Sequence, residues 1–446
     1  GVLLSSLYVA GAVDVAPGSG NGVAIGTGSN APKAENVAIG KGATIEYSGG
    51  VGQPSTGDIV IGGKAHINNY IDQGGGIAIG ANSFVENMVG GMERAFDFNQ
   101  AGYKNLFGIP FGLPKNPEKM VTGMAIGQNT YARSGSIMLG THNYKGKLGD
   151  VDVDSSNTKN NNGHLFSTTI GANSYSNGLF SSIVGAYSIA SSGYPTTTAD
   201  ATKNFGATIT GSLNSIESAS ASSQYSGVAN SIVGTANRTF NSNGSLVFGA
   251  GNEITNSVAD ISAPSSGGNS AKELAEKLRS AVKNSNGGGS TMAFGSGNKA
   301  DYTLRSALMG VNNTLTGSQN NESANTMLTG FHNTADKVSN TTVIGSENTV
   351  TNSKNSLVMG DNREVKDANH AVLIGSTDSK TTTSVNNAVA IGHNTNVTVE
   401  GGVALGSESK ATVAAGAVGY DPSTKAQSTN TDSTWKATKS AVSVGD

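Results

Sequence analysis

A motif of three mostly apolar residues followed by glycine recurs about nineteen times along the chain of 446 residues. Its glycines Gly330, Gly345 and Gly360 are 15 residues apart, and Gly392 and Gly406 are 14 apart. This period is too short for a helical-pair repeat of about 34 to 47 residues, but it accommodates two strands of about five residues and two tight turns. Each period is therefore predicted to form one coil of an all-β solenoid. The motifs begin at Val23, Val37, Ile59, Ile77, Met124, Ile137, Thr168, Ser182, Thr208, Ser231, Leu246, Met292, Ala307, Met327, Thr342, Leu357, Val372, Val389 and Val403.

The residues after the glycine predict the corners of the coils. Asparagine often stands at the third position after it, as at Asn252, Asn298, Asn313 and Asn348. Glycine and asparagine both tolerate positive φ, and an asparagine side chain can hydrogen-bond to its own turn. We therefore interpret these asparagines as corner residues. His142, His332 and His393 lie in the same segment of their repeats and receive the same interpretation.

The apolar residues of the motif predict which faces of each strand are buried. The third residue, such as Ile25, Ile61 or Ile391, is nearly always large, and we expect it to fill the coil interior. The second residue, such as Ala24 or Leu373, then points to the opposite face, because side chains alternate along a strand, yet it is apolar as well. A single solenoid buries only one face of each strand, so self-association about a rotation axis is predicted to cover the other. A monomer with a mainly alanine outer face is the alternative, against which Leu373 argues.

Charge and composition exclude several classes of protein. With 28 Lys+Arg against 31 Asp+Glu, the formal net charge is -3, so the chain lacks the basic surface that nucleic-acid binding requires. Cysteine is absent, which excludes disulfide frameworks and thiolate metal sites. No stretch reaches the roughly 18 to 20 apolar residues of a membrane-spanning helix. Residues 2–12 fit two interpretations, the remnant of a signal peptide or an opening solenoid strand.

Two segments carry a resemblance to a known family. Residues 21–26, Asn-Gly-Val-Ala-Ile-Gly, and residues 387–392, Asn-Ala-Val-Ala-Ile-Gly, resemble the head repeats of YadA-like trimeric autotransporter adhesins. Near the end of the chain, residues 419–422, then Trp435 and Lys436, and then residues 441–445 are similar to the passage from head to neck in that family. The resemblance implies a left-handed parallel β-roll with 14–15-residue coils, three copies around one axis, displayed on a Gram-negative outer membrane by a stalk and a membrane anchor.

The middle of the chain departs from the family pattern. Hydroxyl residues stand where apolar ones are usual, at Thr168, Ser182, Thr208, Ser231, Thr210 and Thr329. The asparagine-rich, arginine-poor composition and the insertion pattern are similar to those of fusobacterial adhesins that bind host CEACAM receptors. The resemblance therefore implies a homotrimeric adhesin head at the cell surface. Its partners would be a host glycoprotein receptor, CEACAM-family receptors among them, or an extracellular matrix protein, and it would contact its own membrane only through an anchor outside this chain.

Uneven motif spacing predicts the domain organisation. Residues 1–415 are expected to form the solenoid head, with insertions at about 84–121, 144–166 and 252–290. Residues 416–446 are expected to begin a truncated neck. Insertions in solenoids often carry the binding surface.

The first insertion concentrates aromatic residues in a chain that has few. Aromatic side chains are favoured anchors at interfaces, so these residues are the candidate receptor-binding residues. A small satellite core that folds the insertion onto the solenoid or onto a neighbouring subunit is the alternative. The candidates are Phe96, Phe98, Tyr103, Phe107 and Phe111.

The other two insertions predict local structure. Asp150, Asp152 and Asp154 resemble the start of a calcium loop, but Ser155 and Asn161 stand where that loop needs glycine and an acidic residue, so a half-exposed strand is favoured. In the third insertion, residues 270–283 predict a short amphipathic helix, with Ser270 as cap and Glu273 at the capping-box position. Its apolar residues share one face and are expected to dock on the solenoid: Leu274, Leu278, Ala281 and Val282.

No catalytic residue, cofactor or metal site is predicted. The six histidines are scattered, and none forms a short pair of zinc ligands. The glycine-rich residues 18–22 and 287–289 lack the Lys-Ser/Thr of a phosphate loop. The leading hypothesis is a multivalent adhesin that catalyses nothing. The alternatives are a parallel β-helix enzyme acting on polysaccharide, which the short coils and sparse acidic residues disfavour, and a passive structural spacer at the surface.

Overall fold

The chain forms a parallel β-solenoid. The computed structural model describes residues 16–47, 57–69, 75–87, 122–143, 165–176, 178–193, 203–220, 225–267 and 270–445. Within these residues the fold is almost entirely parallel β-sheet with a single α-helix, as predicted. The chain divides into two compact units. The first unit comprises Gly1–Ile232 and Asp260–Asn286, and the second comprises Val233–Ala259 and Gly287–Asp446.

In the first unit, two sheets form opposite sides of each coil. The motifs themselves form one sheet, here called the motif sheet: Val23–Ile25, Val37–Ile39, Ile59–Ile61, Ile77–Ile79, Met124–Ile126, Ile137–Thr141, Thr168–Ala172, Ser182–Val184 and Thr208–Ser212. The second sheet is built from Ser19–Gly20 and from the strands that follow the motifs. It has two parts: Ser19–Gly20, Asn30–Ala31, Thr44–Tyr47, His66–Asn69, Phe84–Asn87 and Tyr131–Arg133, then Tyr175–Ser176, Ile189–Gly193 and Ser215–Ser220.

The second unit repeats this arrangement. Its motif sheet contains Leu246–Ala250, Met292–Ser296, Ala307–Val311, Met327–Phe331, Thr342–Ser346, Leu357–Asp361, Val372–Ile374, Val389–Ile391, Val403–Leu405 and Val442–Val444. Its second sheet contains Arg238–Phe240, Glu253–Thr255, Lys299–Asp301, Thr314–Thr316, Thr334–Asp336, Thr349–Thr351, Arg363–Lys366 and Thr381–Thr383. Short pairs join Thr303–Leu304 to Ser323–Ala324, Asn396–Val397 to Lys410–Ala411 and, antiparallel, Tyr420–Asp421 to Ala426–Gln427. The division between the units falls within the strand Ser231–Thr235.

The motif glycines stack directly on one another. Gly330 adopts a φ of 123°, and a Cβ atom there would lie 2.0 Å from the carbonyl oxygen of Gly345 in the next coil. Gly171 shows the same crowding in the first unit, at 1.6 Å from the carbonyl oxygen of Gly185. Any side chain at these positions would push adjacent coils apart, which explains why the motif ends in glycine.

The second motif residue, not the third, fills the coil interior. Leu308, Val358 and Leu373 are fully buried, whereas the third residues Met309 and Met359 remain about 40% exposed. Our prediction that the third residue points inward was therefore wrong. A coil this small has room between its two sheets for one medium-sized side chain from each strand, and the larger residues face outward. The second sheet contributes small and medium residues to the same interior, among them Ala335, Val350 and Val365.

The predicted corner asparagines also point inward. Positive φ occurs one residue earlier, at Asn312 (52°) and Glu347 (58°), while Asn313 and Asn348 are fully buried. The corner interpretation of these asparagines was therefore wrong. It is confirmed for His142 and His332, which both have a φ of 54°. In the repeat of His393 the positive φ belongs to Asn394 instead.

The helix predicted in the third insertion is confirmed as Ala271–Asn284, here α1. The Ser270 side chain accepts a hydrogen bond from the Glu273 backbone N–H at 3.1 Å, which caps the first turn. Leu274 is buried, and the rest of the predicted apolar face packs with it against the coils of the first unit. The contacted core consists of Leu165, Leu179, Phe205 and Val228.

Candidate interaction surface

One face of the motif sheet is apolar and exposed along both units. It carries the first and third motif residues, because the second residue points inward. The most exposed are Val442 at 62% and Val444 at 74%. The exposed apolar residues of this face are Val23, Ile25, Ile59, Ile61, Ile137, Ile170 and Val184 in the first unit, and Phe248, Met292, Met309, Met359, Ile391, Val442 and Val444 in the second. A contiguous apolar surface of this kind is typical of a protein interface.

The hydroxyl residues in the middle of the chain lie on this same face. Thr168, Ser182 and Thr208 are consecutive partners in the motif sheet, and the residues beside them, such as Ile183 and Ile209, fill the interior. The coil geometry is therefore preserved where the sequence departs from the pattern. At these three positions the change alters the chemistry of the exposed face, whereas Thr169 places a hydroxyl residue in the interior.

Three neighbouring strands of the second sheet end at one edge of the first unit. Tyr47, Asn69 and Asn87 end three neighbouring strands of the second sheet and are paired with one another in register. The segments that follow them are residues 48–56, 70–74 and 88–121. Parallel strands end at the same edge of their sheet, so all three segments begin side by side. We call this the loop edge.

The predicted receptor-binding residues Phe96, Phe98, Tyr103, Phe107 and Phe111 lie outside the described residues. Asn87, the last described residue before their segment, lies at the loop edge. Residues 84–87, assigned to the insertion from the sequence, form a strand of the second sheet. The aspartates Asp150, Asp152 and Asp154 also lie outside the described residues.

A ladder of buried asparagines connects the coils of the second unit. The Nδ2 of Asn313 donates to the Oδ1 of Asn298 at 3.1 Å and to the carbonyl oxygen of Gly330 at 2.9 Å. The Oδ1 of Asn313 accepts from both the backbone N–H and the Nδ2 of Asn333, each at 3.1 Å. Both polar atoms of the buried Asn313 side chain therefore have hydrogen-bond partners. The ladder consists of Asn237, Asn252, Asn298, Asn313, Asn333 and Asn348.

Arg363 takes the next position of the ladder and is fully buried. Its backbone N–H donates to the Oδ1 of Asn348 at 2.9 Å, and its Nε donates to the carbonyl oxygen of Gly375 at 2.8 Å. The guanidinium also donates to the carbonyl oxygens of Gly392 and Thr395, at 3.1 and 2.5 Å. Burial lowers the pKa of Arg363. Sequence reasoning missed this residue, although it stands three positions after a motif glycine, where the asparagines stand in earlier repeats.

Asp58 is a buried carboxylate at the loop edge that sequence reasoning also missed. One of its oxygens accepts from the Tyr47 hydroxyl at 2.7 Å and from the Nδ2 of Asn69 at 3.0 Å, and the other accepts from the Gly76 backbone N–H at 2.9 Å. Burial raises the pKa of the Asp58 carboxyl, and these hydrogen bonds, together with the charge of Lys33, oppose the shift.

The described residues include no group of three His, Asp or Glu side chains placed to hold a metal ion. His332 contacts Glu347, with 2.9 Å between Nδ1 and a carboxylate oxygen, in an exposed pair. No helix within the same residues is long and apolar enough to cross a membrane. Comparison with known proteins found no matching family model and no matching curated protein.

Proposed function

We propose that this protein is the head of a bacterial surface adhesin that binds host molecules and catalyses nothing. In this proposal three copies associate around one axis as left-handed rolls on the outer membrane surface. The partners are a host cell-surface glycoprotein, CEACAM-family receptors among the candidates, or an extracellular matrix protein. The family and its partners rest on the resemblance of the repeat motifs.

The exposed apolar face of the motif sheet is the observation that supports self-association. It presents two rows of side chains on every coil, spaced at the strand-to-strand distance of about 4.8 Å. A second copy of the chain has the same spacing, so its rows match over many coils. Stable interfaces use roughly 20 to 30 residues from each partner, which two rows of this length supply. The number of three copies rests on the resemblance.

Light scattering at micromolar concentration tests the assembly. The parent protein is expected to have three times the mass of one chain. The double variant I61D/I391D places a carboxylate on the apolar face of each unit, and the cost of burying these charges should yield monomers. T44D/T334D is the matched control, since each threonine lies on the outer face of the second sheet in its own unit. A parent that is monomeric, or a double variant that stays associated, would contradict the proposed assembly.

The receptor site is proposed at the loop edge of the first unit, with the aromatic residues of segment 88–121 as anchors. Binding to a panel of host glycoproteins should be compared for the parent, F107A/F111A and the control Y420A, which removes an aromatic side chain that is 62% exposed elsewhere. At a true hot spot, each truncation costs about 2 kcal/mol or more. If F107A/F111A loses binding while its melting temperature is unchanged, the receptor site at the loop edge is supported. If its melting temperature falls while binding stays normal, the aromatic residues belong to a satellite core instead.

A further inference from the structure

We propose that Asp58 is a positioning residue that couples the stems of the three segments at the loop edge. The inference rests on the proposed function only in taking this edge as the receptor site. The coupling itself can be measured without a receptor. It is carried by a chain of buried side-chain hydrogen bonds that runs across the strands of the first unit.

The chain of hydrogen bonds begins at Asn36 and Tyr47. The Nδ2 of Asn36 donates to the Tyr47 hydroxyl oxygen at 3.2 Å, and the hydroxyl donates to Asp58. The Oδ1 of Asn36 accepts from the backbone N–H of Asp58 at 3.2 Å. Tyr47 precedes segment 48–56 and Asp58 follows it, so these contacts join the two ends of the first segment.

The chain continues through Asn69 and Asn87. Asn69 donates to Asp58, and its Oδ1 accepts from the Nδ2 of Asn87 at 2.9 Å. The Oδ1 of Asn87 accepts from the backbone N–H of Gly123 at 2.8 Å. Since Asn69 precedes segment 70–74 and Asn87 precedes segment 88–121, each segment has both of its ends attached to the same chain of hydrogen bonds.

Asp58 contacts two of the three stems directly. It accepts from Tyr47 at the first stem, and from Asn69 and Gly76 at the two ends of the second. Asn36, Asp58, Asn69 and Asn87 are all fully buried, so a donor that loses its acceptor there has no water to replace it. Removing the carboxylate should therefore loosen several stems at once, although they are far apart in sequence.

Hydrogen exchange on the full chain, resolved by peptide, tests this coupling. D58A should accelerate exchange by about tenfold or more at residues 44–47, 57–60, 66–69 and 75–77, with a smaller increase at 84–87 and 122–124. D58N keeps an acceptor for Gly76 and should restore part of the protection. N87A should accelerate exchange at 84–87 and 122–124 while leaving 44–47 unchanged.

The matched control is S29A. Ser29 is also buried in the first unit, but its hydroxyl donates within its own turn, to the carbonyl oxygen of Gly26 at 2.8 Å. Its loss should affect residues 26–31 alone. An effect of D58A confined to residues 57–60 would overturn the inference. If D58A does not fold, Y47F removes a single hydroxyl, and unchanged exchange at 66–69 in that variant overturns it equally. A head with coupled stems that binds no host glycoprotein would contradict the proposed function and leave the coupling established.

Discussion

The two units build the same coil, but part of each closes the corner differently. In the second unit, five asparagines that stand three residues after a motif glycine each donate to the asparagine of the preceding coil: Asn252, Asn298, Asn313, Asn333 and Asn348. In the first unit, Ser29, Ser83 and Thr130 hold the equivalent position, and each donates to the carbonyl oxygen of the glycine in its own turn, at 2.8 to 2.9 Å. A corner closed within its own turn adds no side-chain hydrogen bond to the next coil at that position. In these coils of the first unit, the side-chain hydrogen bonds between coils lie instead at the loop edge, through Asn36, Asp58, Asn69 and Asn87.

The largest effect should come from a feature that the units share. G330A in the second unit and G171A in the first each place a Cβ atom within 2.0 Å of a carbonyl oxygen in the next coil, at positive φ. We expect each to destabilise its unit by about 4 kcal/mol or more, because backbone strain adds to the collision. Urea unfolding, with hydrogen exchange to locate the affected coils, measures both. A cost below about 1 kcal/mol in either unit would contradict the stacked-glycine account.

The corner residues should separate the two units. N313A removes five side-chain hydrogen bonds and leaves the buried backbone N–H of Asn333 without its acceptor, so we expect the free energy of unfolding to fall by about 3 kcal/mol. S83A removes one hydrogen bond within its turn and should cost about 1 kcal/mol. Urea unfolding of both variants makes the comparison.

An exposed asparagine provides the control for N313A. Asn355 accepts from the Nδ2 of Asn340 at 3.0 Å on the outside of the same unit. Because water can replace that bond, and because glycine tolerates the φ of 54° at this position, N355G should cost less than about 0.5 kcal/mol. Equal costs for N313A and S83A would show that the ladder does not distinguish the units.

The smallest expected difference is in pH dependence. The pKa of Asp58 is raised in the folded state, so its protonated form stabilises the first unit. That contribution is complete below the ordinary carboxyl pKa of about 4 and is lost as pH rises through the raised value. Tyr47, Asn69, Gly76 and Lys33 face the carboxyl and oppose the shift without reversing it. D58N should flatten the pH dependence of the unfolding free energy above about pH 4, as measured by urea unfolding. A steeper pH dependence of the unfolding free energy in D58N would contradict the raised pKa of Asp58 in the folded state.

Repetition made the strands and the helix predictable. The motif locates the strands that start at residues such as Thr342 or Val372, and the capping pattern at Ser270 locates α1. The inward and outward faces were not predictable from hydrophobicity, because both are apolar and only the width of the coil decides between them. Asp58 and Arg363 were missed for a related reason. A buried charge depends on partners in other coils, and no local pattern reveals those partners.

The asparagine ladder also affects how the second unit responds to mechanical force. Tension along the stacking direction loads the hydrogen bonds between coils, and each ladder asparagine adds side-chain bonds in parallel with the backbone bonds of the strands. Arg363 links further coils, because its guanidinium donates hydrogen bonds to the backbone carbonyl oxygens of Gly375, Gly392 and Thr395. Under shear flow, the ladder coils should therefore resist extension at forces that begin to separate coils joined by backbone hydrogen bonds alone.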